Sequence, residues 1–208
     1  MQLLKPAALD LYRDKVIDHA KIVVVSLLGG ESYWQYGVEQ LTEWASQTHQ
    51  TNPRHVIFIP GDDTPDDALF DASTVPREAA IRIWRYCREG GAINNQQLLH
   101  YLAAEFLFSE AVPSELLPVE PSEQNYPWHE PQVLPHCMLY MPHSSLQHSQ
   151  ASFHDWQERW QANAKIKNRT ETKTNPKKKP VCVLLFYRSH LQSTNTAMFD
   201  DLIAEIES

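Results

Sequence analysis

The 208 residues carry 26 acidic and 18 basic side chains, a formal net charge of −8. An acidic surface disfavours non-specific binding to nucleic acids. Three scattered cysteines without a CxxC pair argue against a zinc knuckle or a disulfide framework. There is no apolar run near the roughly 20 residues of a membrane span, and no apolar stretch typical of a signal peptide. We therefore expect a soluble, cytoplasmic protein.

The first hundred residues predict a β-strand, helix, β-strand unit. An amphipathic helix over Pro6–His19 precedes Lys21–Leu28, a dense β-branched run typical of a strand buried on both faces. Gly29-Gly30 ends this run, and Ser32–Thr48 has helical periodicity. A second strand follows at His55–Ile59. This order predicts an α/β fold with a parallel-sheet βαβ domain and flanking helices.

Two further helices are predicted downstream of an acidic loop over 64–75. Ser73 or Thr74 is a candidate N-cap, with Pro76 in the first turn of a helix that Gly90-Gly91 stops. Another helix is expected over about 94–108, where Leu98, Leu99, Leu102 and Phe106 are apolar.

The second half of the chain predicts an irregular segment followed by the start of a second domain. A proline-rich stretch suggests irregular structure with a short strand at Met138–Tyr140 and a helix at Phe153–Ala164. After a polar, basic connector, Pro180–Tyr187 predicts a second buried strand and Ala197–Glu207 a helix. We interpret these as the first strand and helix of a following α/β domain. The predicted segments are 1–111 (head domain portion), 112–164 (irregular), 165–179 (linker) and 180–208 (truncated second domain).

Three features could carry chemistry, but a structural explanation is favoured for each. Gly29-Gly30 lacks the other glycines of a dinucleotide fingerprint, so a tight turn is expected. Asp62, Asp63, Asp66 and Asp67 do not match an EF-hand loop and predict a solvated acidic loop. Five irregularly spaced histidines lie in the proline-rich half, where unpaired surface side chains are the expectation: His129, His136, His143, His148 and His154. No metal ligand is therefore assigned.

The loop after the second predicted buried strand is the best candidate for a substrate-binding site. Open α/β sheets bind ligands beyond the carboxyl ends of their strands. Arg188 could pair with a carboxylate, and His190 could move a proton or touch a metal. Asn195 or Thr196 could cap the next helix or contact a ligand. With Tyr187 these residues form the candidate site, although a helix cap beside a solvent-facing loop would look the same.

Several strings occur in an order and spacing that resemble the large subunit of cobaltochelatase, the CobN family. They are DLY (10–12), HAKIVVV (19–25), LLGGESYWQYG (27–37), IPGDD (59–63), STVP (73–76), WRYCREGG (84–91), LLFYRSH (184–190) and NT (195–196). The related magnesium chelatase H subunit matches these strings less well. Family members are several times longer, so the resemblance implies a partial N-terminal region.

The resemblance implies a role in cobalamin biosynthesis. The family's large subunit binds hydrogenobyrinic acid a,c-diamide and cobalt, and partner subunits that include an AAA+ ATPase use ATP to drive cobalt insertion. The residues associated with chelation lie outside this chain, so no catalytic residue is assigned and the chain is expected to be inactive alone. The alternatives are a stand-alone tetrapyrrole- or metal-binding module, a subunit-docking module, and a magnesium chelatase H-like fragment.

Overall fold

A computed structural model describes residues 3–47, 53–107, 126–142, 154, 156–158 and 182–207. These residues fall into two compact units, one within Met1–Glu89 and Asn94–Gln132, the other within Gly90–Ile93 and Val133–Ser208. The regular elements are α1 (Pro6–Lys15), β1 (Ile22–Leu27), α2 (Gln35–Ser46), β2 (His55–Pro60), α3 (Asp67–Ala72), α4 (Arg77–Glu89), α5 (Gly91–Leu102), α6 (Ser189–Gln192) and α7 (Ala197–Glu207). Short 3-10 turns occur at Ile17–His19 and Glu31–Tyr33, and a π-helical turn at Ala103–Leu107 follows α5.

The first unit is built on a parallel pair of strands. β1 and β2 pair in register from Ile22 opposite His55 to Leu27 opposite Pro60. α2 connects the two strands, which confirms the predicted βαβ unit. The dense β-branched composition of both strands suits a pleated surface covered by helices.

The two faces of β2 belong to two separate core clusters. Val56 and Phe58 lie with side chains of α1 and α2, whereas Ile57 and Ile59 lie with side chains of α4 and α5. All four are at most 2% exposed. β2 is therefore a strand buried on both faces.

The described residues cover β1 on only one face, so the prediction that it is buried on both faces is wrong. Val23, Val25 and Leu27 pack in the cluster formed with α1 and α2. On the opposite face only Ile22 reaches the cluster around α4 and α5, and Val24 and Ser26 are exposed. The physical reason is the position of α4, which contacts β2.

Ser73 and Thr74 bind the edge of β2, so the prediction that one of them caps a helix is wrong. The amide of Val56 donates to the Thr74 hydroxyl, and the amide of Phe58 donates to the Ser73 hydroxyl, each at 2.9 Å. The Thr74 amide donates to the Val56 carbonyl at 2.9 Å. These contacts satisfy buried backbone groups that a neighbouring strand would otherwise pair.

The predicted acidic loop over 64–75 contains the short helix α3. Asp66 is its N-cap, since one carboxylate oxygen accepts from the amides of Ala68 and Leu69 at 3.0 and 3.3 Å. Leu69 and Phe70 are buried, which anchors the turn. The carboxylate is therefore explained by helix capping.

The proline-rich segment is irregular where the structure describes it, and it is tied to the helices of the first unit. The buried side chain of Asn94 pairs with the backbone of Gln132 through two bonds of 2.8 Å. The Tyr86 hydroxyl donates to the His129 carbonyl. Arg82 lies over the Tyr101 ring at 5.2 Å and the Trp128 ring at 5.0 Å. α5 begins at Gly91, earlier than predicted.

Residues 182–187 form no sheet ladder with any described residue, so the predicted second buried strand is not present as such. The reason is that no described strand lies beside them. The helix predicted after them is present as α7. Leu139 makes an isolated β-bridge within the predicted short strand, and His154 and residues 156–158 are helical. The linker over 165–179 lies outside the described residues.

Candidate functional site

The predicted substrate loop lies in the second unit, between residues 182–187 and α7. Tyr187 is 81% exposed, and α6 begins two residues later. The His190 carbonyl accepts from the Asn195 amide at 2.8 Å, which closes the loop across Thr194, a residue with a positive φ of 56°. The loop therefore has a defined backbone, while the Tyr187 and Asn195 side chains face outward.

Arg188 fastens this loop to the segment that begins at Val133. Its Nη1 donates to the Leu134 carbonyl at 2.8 Å. A guanidinium has five N–H donors, and this contact uses one of them. The other donors of Arg188 make no hydrogen bond within the described ranges.

Gly90 and Gly91 lie against the same loop, and both have a positive φ, at 61° and 83°. A Cβ on Gly90 would lie 2.6 Å from the Gln192 carbonyl oxygen, too close for any side chain. A Cβ on Gly91 would be 3.7 Å from its nearest neighbours, an ordinary contact. The first of the two glycines that close the WRYCREGG string therefore packs directly against the backbone of α6.

Three rings form an aromatic cluster under the loop. Phe186 stacks on Phe199 with centroids 4.1 Å apart, and His190 meets Phe199 edge-on at 5.0 Å. These ring contacts hold the imidazole half-buried. The ring nitrogens of His190 have no hydrogen-bond partner in the described part of the chain.

Asp200 forms a polar anchor beside the rings. One carboxylate oxygen accepts from the Tyr140 hydroxyl at 2.6 Å and the other from the Thr196 hydroxyl at 3.2 Å. Burial, and then the hydrogen bond to Asp200, raise the pKa of Tyr140. Tyr140 is therefore a protonated donor at neutral pH, and the three side chains hold the start of α7 in place.

The structure thus assigns different positions to the five predicted site residues. Arg188, His190 and Thr196 are half-buried and make contacts within the second unit, whereas Tyr187 and Asn195 are exposed. Sequence reasoning missed Tyr140 and Asp200. Asp200 lies in the first turn of a predicted helix, but its partner Tyr140 is 60 positions away, and no local pattern links them.

The other candidate features are the acidic loop and the scattered histidines. In the ranges that the structure describes, no three His, Cys, Asp or Glu side chains come together as a metal site. His129 and His136 are exposed, and His143 and His148 lie outside the described residues. None of the described helices combines the length and apolarity needed to cross a bilayer.

Comparisons with known proteins bear on the whole chain. Residues 84–208 match a family model for CobN/Magnesium Chelatase. The aerobic cobaltochelatase subunit CobN of Pseudomonas aeruginosa is 37% identical over 197 residues, which cover 95% of this chain and 13% of that protein. A Sinorhizobium sp protein of the same name is 40% identical over 104 residues, 50% of this chain and 8% of that protein.

A solved structure shares the fold. The catalytic subunit of cobaltochelatase from Mycobacterium tuberculosis matches 97% of this chain and 13% of its own length, with a TM-score of 0.60 and 21% identity. The chain therefore spans about an eighth of the length of this structure and of the Pseudomonas protein. These matches agree with the resemblance carried by the sequence strings, including its partial extent.

Proposed function

Since the chain belongs to the CobN/magnesium chelatase family, we propose that it forms part of the porphyrinoid- and cobalt-binding large subunit of an ATP-dependent cobaltochelatase. The complete complex would insert cobalt into hydrogenobyrinic acid a,c-diamide during cobalamin biosynthesis. Cobalt is then a substrate, and ATP is consumed by an AAA+ partner subunit. The chain alone would be inactive.

Cobalt is proposed over magnesium because both curated relatives are named as cobaltochelatase subunits. The family model covers both metals, so its match does not discriminate between them. No described side-chain cluster selects a metal. The choice is therefore supported by identity to the relatives rather than by a coordination site.

The observation that carries the proposal is the uncovered apolar surface of the second unit. Along 182–187 the exposed side chains alternate, with Val183 at 73%, Leu185 at 93% and Tyr187 at 81%. The side chains between them, Leu184 and Phe186, are half-buried. This period of two is that of a strand with one covered and one open face.

The helix that follows has a second uncovered apolar stripe. Met198, Leu202 and Ile206 are 66%, 43% and 49% exposed and recur at intervals of four. Residues four apart share a helix face, so this stripe is distinct from the Phe199 contact with Phe186. Large exposed apolar patches mark interaction sites, as expected for a piece of a larger body.

The five loop residues are proposed to contact the substrate. The acid named above carries carboxyl groups, which suit the guanidinium of Arg188. The half-buried imidazole of His190 would take a proton or touch the incoming metal. Tyr187, Asn195 and Thr196 complete the loop around these two groups.

A chimera tests the proposed function. This chain would replace the matched 197-residue region in the Pseudomonas relative, and cobalt insertion would be measured with the ATPase partners, ATP and the corrinoid substrate. We expect activity in the chimera and none in a relative that lacks the region. An inactive but folded chimera, or insertion by this chain with only the ATPase partners, would contradict the proposal.

The same chimera tests the loop. Arg188→Met should raise the KM for the corrinoid at least about tenfold, the equivalent of one charge-assisted contact, and Arg188→Lys should raise it less. Unchanged KM values with a lower unfolding midpoint would show that Arg188 serves only to hold Leu134.

A further inference from the structure

The two edges of the β1–β2 pair differ in how their backbone groups are satisfied. The amides of His55 and Gly61 donate to the carbonyls of Lys21 and Leu27, each at 2.8 Å. In a parallel ladder the residues that bond across alternate. The odd-numbered residues of β1 therefore face β2, and the N–H and C=O groups of Ile22, Val24 and Ser26 point away from it. We call these six groups the open edge.

The far edge of β2 is closed, because Ser73 and Thr74 bind the outward groups of Val56 and Phe58. No described residue forms such hydrogen bonds with the open edge of β1. Natural edge strands are protected by proline, lysine, bulges or a covering segment. The β1 sequence IVVVSL has no proline, charge or bulge, which is typical of an interior strand.

The position of α1 indicates where a third strand would come from. α1 lies beside α2, since Tyr36 donates to Asp10 at 2.9 Å and Arg13 donates to Gln40 at 3.4 Å. Both helices pack on the same face of the sheet. Crossovers between parallel strands are right-handed, so a strand that leads into α1 would lie on the side of β1 opposite β2.

We propose that the open edge of β1 docks one parallel, apolar β-strand of the same large subunit, the strand that directly precedes α1 in the longer polypeptide. This inference rests on the proposed function. Three observations support the occupant. The chain spans only 13% of the Pseudomonas relative. Val24 is 37% exposed on the uncovered face, and Leu4, just before α1, and Leu11, within α1, are 51% and 49% exposed.

Hydrogen exchange of the β1 amides tests the docked strand. In the isolated chain the amides of Ile22, Val24 and Ser26 should exchange much faster than those of Val23 and Val25. In the chimera all five should be protected, with at least about a hundredfold slowing at the three open-edge positions, as expected for buried ladder bonds. Mass spectrometry with fragmentation across 20–28 would resolve the alternate amides.

Val24→Pro supplies the matched variant, because it removes an amide that points away from β2 and proline is tolerated at such edge positions. The control Val24→Thr keeps the amide. In the isolated chain the two variants should unfold at similar denaturant concentrations. In the chimera only Val24→Pro should lower cobalt insertion, by at least about tenfold.

The outcomes separate the two proposals. An active chimera in which the three open-edge amides still exchange rapidly overturns the docked strand and leaves the proposed function standing. Protected amides in a folded but inactive chimera would support the docked strand and overturn the proposed function. Protection that appears in the isolated chain as its concentration rises would assign the edge to a second copy, and would overturn the occupant proposed here.

Discussion

Gly90→Ala should be among the most damaging single-methyl changes in the chain. The backbone at this position has a φ of 61°, where an L-residue costs about 1–2 kcal/mol. The added Cβ would also lie 2.6 Å from the Gln192 carbonyl oxygen and 3.1 Å from its carbonyl carbon. Both atoms belong to the backbone, so no side-chain rotation relieves the overlap, and overpacking adds roughly 1–3 kcal/mol.

Gly91→Ala is the matched control. Its φ of 83° imposes a similar backbone cost, but its nearest atoms, on Leu134 and Leu191, are 3.7 Å away. We expect a loss of about 1–2 kcal/mol for this variant and roughly 2–5 kcal/mol for Gly90→Ala. The larger value is a substantial part of the 5–15 kcal/mol that stabilises a typical domain.

Urea unfolding of both variants, followed by far-UV circular dichroism, measures these losses. Hydrogen exchange at the amides of Ser193 and Asn195, which bond within the loop, shows whether the damage is local to α6. The reasoning is refuted if the two alanine variants are equally destabilised, since only the contact with Gln192 distinguishes them.

Three further predictions concern other parts of the chain. Thr74→Val leaves the buried Val56 amide without its 2.9 Å acceptor, so it should lower the free energy of unfolding in urea by about 1–3 kcal/mol. The control Thr64→Val changes an exposed side chain and should change this free energy by less than about 0.5 kcal/mol. Burial raises the pKa of Tyr86 to about 12, so the unfolded state ionises first and stability should fall between about pH 10 and 12. Tyr86→Phe should reduce this dependence of the unfolding free energy on pH, and an unchanged dependence would contradict the prediction. Leu185→Lys, at a site 93% exposed, should change the unfolding free energy of the isolated chain by less than about 0.5 kcal/mol, yet it should reduce the activity of the chimera. Phe186→Ala should destabilise both the isolated chain and the chimera, because it removes the stack on Phe199.

The sequence predicted the elements of the first unit because each has a strong local pattern. The β-branched run of β2 and the helical period of α2 each specify one structure, and their order specifies the parallel pairing. The roles of Ser73 and Thr74 could not be predicted, because a hydroxyl before Pro76 suits a helix cap as well as a strand edge. Which of these two roles the hydroxyls take depends on where β2 lies in three dimensions.

The candidate site was predicted only in outline. The position of Arg188 and His190 after an apolar run indicated a loop at a strand end, and both do lie in a structured loop. The contacts that give this loop its shape join residues far apart in the chain, namely Arg188 with Leu134 and Tyr140 with Asp200. Such long-range pairs leave no periodic signal in a single sequence. The exposure of Val183 and Leu185, by contrast, is what the sequence predicts for the first strand of a following domain, because one strand and one helix cannot cover both faces.

The uncovered apolar surface has an energetic consequence for the isolated chain. Six large side chains along 182–187 and α7 are 43–93% exposed: Val183, Leu185, Tyr187, Met198, Leu202 and Ile206. Burying a side chain of this size contributes about 1.5–3 kcal/mol, so covering all six could add on the order of 10 kcal/mol even after discounting the parts already buried. This equals the whole stability of an ordinary domain. The open edge of β1 also leaves backbone groups without a described partner, so the chain should gain stability from its surroundings at both the open edge of β1 and the outer face of residues 182–187. Both surfaces are apolar and uncharged, which suits permanent burial within one polypeptide better than a transient contact between soluble partners.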